Sequence, residues 1–307
     1  MPRFTYGAPM ILSYLRLASA PILWGGALVA GRVVAAELPP ILITWIRFLL
    51  VSVFLLPVLR IYEGHLPRPS RQDGILLVLL ALTGVVVFNL LLFSGLKTVT
   101  AARSSVLIAL GPAVVAVMMM TFFREPARWN TIVGILIAFA GAVVTITNGD
   151  PAKALAGGLS AGDLYLTGSV LCWAVYTIMA RPAMQHLAPL TVLTYASIIG
   201  TLCLTPFAVY HGDLTALAGC SWAAWGSLFY LSIGAAGVAY LWYYMGIRDV
   251  GPSRAAVFLN LEPVSAILLG VLLLGETLTW PVLLGGVLVI AGLCLVNRRN
   301  PSGSKQG

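Results

Sequence analysis

The sequence predicts an all-α integral membrane protein: ten transmembrane helices, as two inverted five-helix repeats around a central cavity. Three observations carry this expectation. First, 60% of the 307 residues are hydrophobic and 9% are charged, with a mean hydropathy of +0.97, whereas a soluble domain is usually about 25% charged. Second, the apolar residues fall in runs of about 20, enough at 1.5 Å per residue to cross a ~30 Å hydrocarbon core. Third, the two halves of the chain match one another in order. The alternating segments of about ten residues that mark an outer-membrane barrel are not visible.

In order, the spans fall at about 12–34, 41–59, 74–95, 99–122, 130–147, 161–181, 190–210, 222–246, 251–274 and 280–297. In the first, "LASA" superficially imitates a signal-peptide cleavage site. Pro21 follows it and the apolar run continues to Val34, so a retained span is expected. The second carries Arg47, read as a structural anchor that pairs or snorkels. The third holds Phe88 and Asn89, the fourth Pro112, and the fifth is glycine-rich. The sixth carries Tyr165, Ser169, Trp173, Tyr176 and Thr177 on one helical face. The eighth holds the small-residue run Gly234-Ala235-Ala236-Gly237, read as a close-packing patch, and then Tyr240, Tyr243 and Tyr244. The ninth contains "FLNLEPVSAILLG", with Asn260, Glu262 and Pro263 in an apolar run. The tenth is again rich in glycine.

The repeat is explicit in the numbering. Trp24 matches Trp173, Arg32 matches Arg181 and Pro57 matches Pro206, each 149 positions on. Pro112 matches Pro263, Glu125 matches Glu276 and Trp129 matches Trp280, each 151 positions on. A two-residue difference in one connection accounts for the change. Five spans per half place the second half upside down in the membrane. The expected organisation is a first repeat over 1–147, a periplasmic linker over 148–160, a second repeat over 161–297 and a cytoplasmic tail over 298–307. Inverted repeats are the architecture of secondary transporters, with the solute site near the midplane between the halves.

The net charge of +8 follows the same topology. Loops and helix ends on the side of the termini hold Arg3, Arg16, Arg60, Arg68, Arg71, Arg124, Arg128, Arg181, Arg248, Arg254, Arg298, Arg299 and Lys305. Those opposite hold only Arg32, Lys97, Arg103 and Lys153. Such an excess places both termini in the cytoplasm, and the expected location is a bacterial inner membrane. The basic residues are thus accounted for without nucleic acid. Cys172, Cys203, Cys220 and Cys294 stand singly and read as apolar fillers.

Ten spans in two halves, a proline within the fourth span of each (Pro112, Pro263), "REP" at 124–126, "GE" at 275–276 and the glycine-rich "GILIAFAGAVV" and "GGVLVIAGLCLV" together resemble the drug/metabolite transporter (DMT) superfamily. The likeness is to its EamA-type members and, more narrowly, to the YddG-type bacterial amino-acid exporters. It implies a cavity lined by the first, third, fourth, sixth, eighth and ninth spans, with the fifth and tenth peripheral. The inner parts of those six spans carry no Lys or Arg, which argues against phosphorylated cargo.

Candidate solute-contacting residues are Trp24, Phe88, Asn89, Trp173, Tyr176, Tyr240, Tyr243, Asn260 and Glu262, with Pro112 and Pro263 as hinges. Aromatic rings suit amphipathic solutes, and polar groups at membrane depth tend to face a bundle interior or cavity. Asn260 and Glu262 are two positions apart, about 200° around a straight helix. One therefore serves the pathway and the other packing, with Asn260 preferred for the pathway and Glu262 either a structural acid or a cavity residue. Pro263 should leave the carbonyl of Leu259 without its usual partner and permit a bend. Glu125 and Glu276 are expected to favour the N-termini of the helices that follow them.

Intramembrane hydrolysis needs two acids, a Ser with a His, or a His-rich metal site. His65, His186 and His211 fall in or near loops, and no HExxH, GxSxG or GxxxxGK[ST] motif occurs. No enzyme, metal or cofactor is expected, and no acidic ring or carbonyl filter suggests a channel. The expected function is export of small organic solutes, most readily amino acids including aromatic ones, by alternating access. Export of hydrophobic drugs or other metabolites is the alternative. The expected partners are the cargo and the bilayer, with oligomeric state open and a monomer compatible. Glu262 is the one deep acid a proton-coupled carrier could use; a gradient-driven exporter needs none.

Overall fold

The computed structural model describes residues 10–126, 128–150, 160–251, 255 and 257–296. It contains ten apolar helices and, among the described residues, no strand. Eight are long enough to cross a membrane: α1 (Met10–Glu37), α2 (Pro40–Glu63), α3 (Arg71–Leu96), α4 (Ala101–Phe122), α5 (Trp129–Ile146), α6 (Ala161–His186), α7 (Pro189–His211) and α8 (Trp222–Ile247). Two are shorter: α9 (Leu261–Leu274) and α10 (Trp280–Val296). The expected tail lies outside the described residues, as does most of the expected linker.

Local chemistry sets the helix starts. Pro40 and Pro189 begin α2 and α7, where a missing N–H costs nothing. Ser70 and Ser160 form capping boxes with Asp73 and Asp163 at the starts of α3 and α6. The corresponding starts show where the repeats fall out of step. α2 and α7 begin 149 positions apart, at 40 and 189, and α3 and α8 begin 151 apart, at 71 and 222. The extra residues therefore sit in the connection after α7, which winds through the short 3₁₀ turn Leu214–Leu217.

Short connections make the helices run up and down between two ends. At the end where α1 begins (the proximal end), Ser13 donates to Asp249 at 2.6 Å and His186 Nδ1 lies 3.3 Å from Asp73. At the distal end Arg103 meets Asp163 at 2.7 Å, and Ser221 donates to Glu37 through both backbone and side chain. α5 and α10 pack on each other along their glycines. A Cβ on Gly134 would lie 2.5 Å from the carbonyl oxygen of Gly292, and one on Gly285 would lie 2.5 Å from that of Gly141. The glycine-rich helices thus consume one another's smooth faces within the chain.

Four irregularities break the helices, in symmetry-related pairs. α3 widens into a π-helix at Ala81–Val87 and α8 at Tyr230–Val238. α4 is interrupted by a turn at Ala109–Leu110, and a turn at Leu259–Asn260 precedes α9. Pro112 and Pro263 lie in the first turn of the segments that follow, Gly111–Phe122 and Leu261–Leu274. This corrects the expected mid-helix bend. Each proline starts a new half-helix, where its absent N–H is not missed. The carbonyl of Leu259 is not orphaned either; the N–H of Glu262 donates to it at 3.1 Å. The small-residue run of α8 lies in its π segment. Gly237 passes so near α2 that a Cβ would sit 2.6 Å from the Phe54 ring, which is the close packing expected of it.

Candidate functional site: an aromatic cavity between the repeats

The breaks in α4, in α8 and before α9 line a cavity of about 350 Å³, and Phe88 joins them just after the π segment of α3. Trp24 from α1, Phe88 from α3, Trp173 from α6, and Tyr240 and Tyr243 from α8 form its aromatic wall. The interrupted helices contribute Gly111, Pro112, Asn260, Glu262 and Pro263. A shallow basin of about 790 Å³ at the proximal surface, around Arg60, His65 and Arg68, is larger. It is formed by the connection between α2 and α3, so the enclosed, aromatic space between the repeats is the better candidate.

The rings are mutually braced. Trp24 lies 5.0 Å from Tyr240 and 5.3 Å from Tyr243, centroid to centroid. In the symmetry-related group Phe88, Trp173 and Tyr176 follow at 5.2 Å spacings. A π turn leaves carbonyls without regular partners, and side chains near the cavity take them up. The Trp24 indole N–H donates to Ala235 O at 2.9 Å, and Asn89 donates to Gly84 O and Val85 O at 3.0 and 2.9 Å. Trp173 rests its indole edge on Gly111, where an added Cβ would come within 3.3 Å. Three of the four irregularities are therefore held by side chains at or behind the wall.

Seven of the nine candidate contact residues, and both candidate hinges, line this space. Two stand behind it. Asn89 is 1% exposed and holds the π turn of α3. Tyr176 stacks on Trp173 and packs over Gly84. Of the α6 stripe, Trp173 alone lines the cavity. Tyr165 is 43% exposed, facing outward, while Ser169 and Thr177 donate to carbonyls of their own helix. Asn260 and Glu262 do both line the cavity, contrary to the straight-helix expectation. Asn260 lies in the turn and Glu262 in the first turn of α9, so the 200° separation does not apply.

Arg47, expected as a structural anchor that pairs or snorkels, does pair, and it is also a cavity residue that sequence reasoning did not place there. It lines the cavity, donates to Asn89 Oδ1 at 2.8 Å, and sits 5.4 and 5.9 Å from the ring centroids of Phe48 and Phe93. Its signal was present, an arginine deep in an apolar span, but nothing in one dimension said which way it faced. α2 and α10 thus join the lining, through Arg47 and Leu293, beside the six helices expected.

Two ion pairs flank the site, related by the repeat. At the distal end Arg32 Nε lies 3.3 Å from Glu276 Oε1, with side chains 29% and 6% exposed. Glu276 also accepts from the N–H groups of Ala101 and Ala102 at 2.7 and 3.0 Å. It therefore caps α4, a different helix from the α10 expected. Arg32 donates further to the carbonyls of Leu96 and Val99. At the proximal end the mirror pair, Arg181 and Glu125, is 3.9 Å apart with side chains 69% and 53% exposed. The distal pair is locked and the proximal pair is loose. Among the described residues no group of three or more His, Cys, Asp or Glu side chains could hold a metal.

A model of the EamA-like transporter family matches residues 11–147 and 160–298, once per repeat. The uncharacterized transporter YyaM of Bacillus subtilis is 27% identical over 80% of this chain and 81% of its own length. YetK of the same organism, also an uncharacterized transporter, is 25% identical over 94% of this chain and 88% of its own. A probable terminal-alkyne amino-acid exporter of Streptantibioticus cattleyicolor is 28% identical over 76% of each chain. One solved crystal structure superposes with a TM-score of 0.62 at 19% identity, covering 92% of this chain and 95% of that one; the likeness is one of fold.

Proposed function

The chain belongs to the EamA-like transporter family, and from that premise we propose that it exports amino acids, aromatic ones included, by alternating access. The membrane is a bacterial inner membrane, with both termini in the cytoplasm. The observation that carries the cargo class is the cavity itself. Its volume of about 350 Å³ lies at the low end of the ~300–1,000 Å³ typical of small-molecule sites. Its wall joins aromatic rings to a few polar groups, Arg47, Asn260, Glu262 and the tyrosines. That mixture suits a small solute with an apolar side chain and a charged head. The name of the Streptantibioticus relative points the same way.

The mirrored ion pairs support the transport cycle. Two inverted halves have two nearly equivalent packings, one open to each side. A tight pair at one end and a loose pair at the other is what one of these packings requires, and exchanging their roles describes the other. The deciding experiment uses purified protein in liposomes with labelled phenylalanine. Saturable uptake, accelerated by unlabelled amino acid on the far side, is expected. Uptake that never saturates and shows no trans-stimulation would sink the carrier reading.

A further inference from the structure

Among the described residues, the ion pairs between the helices leave two charged side chains of the cavity wall, Arg47 and Glu262, without a partner of opposite charge. Arg103 pairs with Asp163, and Arg32 with Glu276. Arg47 has no carboxylate partner among the described residues, and Asn89 is its one hydrogen-bond acceptor. Its Nε is buried without any partner. The Glu262 side chain likewise makes no hydrogen bond or ion pair among the described residues. The two do not pair with each other, although both line the cavity.

Unpaired charge at membrane depth is costly. The rings of Phe48 and Phe93 beside Arg47 offset part of that cost. A fold needing the charges only for support would have joined them, since one partner compensates the other. Held apart across an aromatic space, they instead present a cation and an anion to whatever enters. Asn89 fixes the guanidinium from behind. The turn at Leu259–Asn260 turns Glu262 inward.

We propose that Arg47 and Glu262 form a clamp for a zwitterion, Arg47 receiving the α-carboxylate of the cargo and Glu262 its α-ammonium. The side chain of the cargo then lies against Trp24, Phe88 and Trp173. This rests on the amino-acid reading above and adds a selectivity to it. A zwitterion compensates both protein charges at once, whereas an amine or an acid alone leaves one of them bare and newly desolvated.

The test is binding to the full-length protein in lipid nanodiscs, measured by calorimetry with phenylalanine, phenethylamine and 3-phenylpropionate. Wild-type protein is expected to bind phenylalanine at least about tenfold more tightly than either analogue, because a site built for a polar group rejects the compound lacking it. Arg47→Gln should bring phenylalanine down to the affinity of phenethylamine and leave phenethylamine nearly unchanged. Glu262→Gln should do the same with respect to 3-phenylpropionate. Equal binding of all three compounds by the wild type overturns the clamp and leaves the amino-acid reading standing. Binding of none of them overturns both. Equal weakening of all three by each variant also overturns the clamp. The wild-type series decides the matter even if a variant does not fold.

Discussion

At the residue scale, position relative to the cavity separates the residues that line it from those that support its wall. Trp173 lines the space, braced by Phe88 and Tyr176. Trp173→Ala should lower amino-acid counterflow about tenfold, the factor given by ~1.4 kcal/mol of lost contact, while leaving the elution profile of folded protein unchanged. Wild-type flux in that variant would remove Trp173 from the site. Asn89 acts from behind, joining Arg47 to the π turn of α3. Asn89→Ala leaves those buried carbonyls unpaired and should cost about 1–3 kcal/mol of stability, read as a lower thermal midpoint in detergent. Asn89→Asp is the sharper variant. It supplies Arg47 with a carboxylate but removes the Nδ2 donor to Gly84 O and Val85 O, so it should lose stability much as Asn89→Ala does while phenylalanine affinity falls. Unchanged affinity in a well-folded Asn89→Asp protein would show that the charge of Arg47 does not face the cargo.

At the element scale, the irregular turns were out of reach of sequence periodicity, and the regular parts were not. The ten spans follow from apolar run length and the glycine-rich character of α5 and α10 from composition, while the packing of those two helices on each other was left open by the sequence. A π turn has no composition of its own. Ala81–Val87 and Tyr230–Val238 read as ordinary apolar helix, and their pairing through the repeat is visible only once both are seen. The prolines showed that something interrupts α4 and precedes α9, but not that each would stand at the start of a half-helix. Glycine substitutions test the packing directly. Gly285→Leu puts carbon against the backbone of α5 and should destabilise the protein by about 1–3 kcal/mol or more, as over-packing does. Gly74→Ala meets nothing within 4 Å and should stabilise α3 by about 0.5–1 kcal/mol. Equal thermal midpoints for the two variants would mean that the α5–α10 seam is not a packed interface.

At the scale of the whole molecule, the proposed transport cycle predicts that the ion pairs at the two ends act as latches. Arg32, Glu276 and the start of α4 form one connected network, whereas Arg181 and Glu125 are exposed and barely within reach. Glu276→Gln should weaken the distal closure. In a background with Cys172, Cys203, Cys220 and Cys294 replaced by Ser, a cysteine placed at Ile108 in the cavity wall gives the readout. A membrane-impermeant maleimide added outside the cell should label it several-fold faster in Glu276→Gln than in the parent. Glu125→Gln should change that rate little, because the proximal pair is already loose. If Glu125→Gln accelerates labelling as much as Glu276→Gln does, the pairs are not end-specific latches.

Hydrophobic run length, the placement of basic residues and the recurrence of matched residues 149 to 151 positions apart were enough to determine a bilayer protein of ten helices in two inverted halves. These are properties of one dimension, because lipid demands continuous apolar segments and repetition is a matter of order. They also named most of the aromatic wall, since large rings within a span have few places to go other than a packed interior or a cavity. What the tertiary structure decided was direction. Whether Arg47 turns outward to anchor or inward to the cavity, whether Asn260 and Glu262 share a face, and which helix start Glu276 caps all depend on where neighbouring helices lie. A residue's facing is set by three-dimensional packing and by local breaks in the helix. A straight 3.6-residue period carries no information about those breaks.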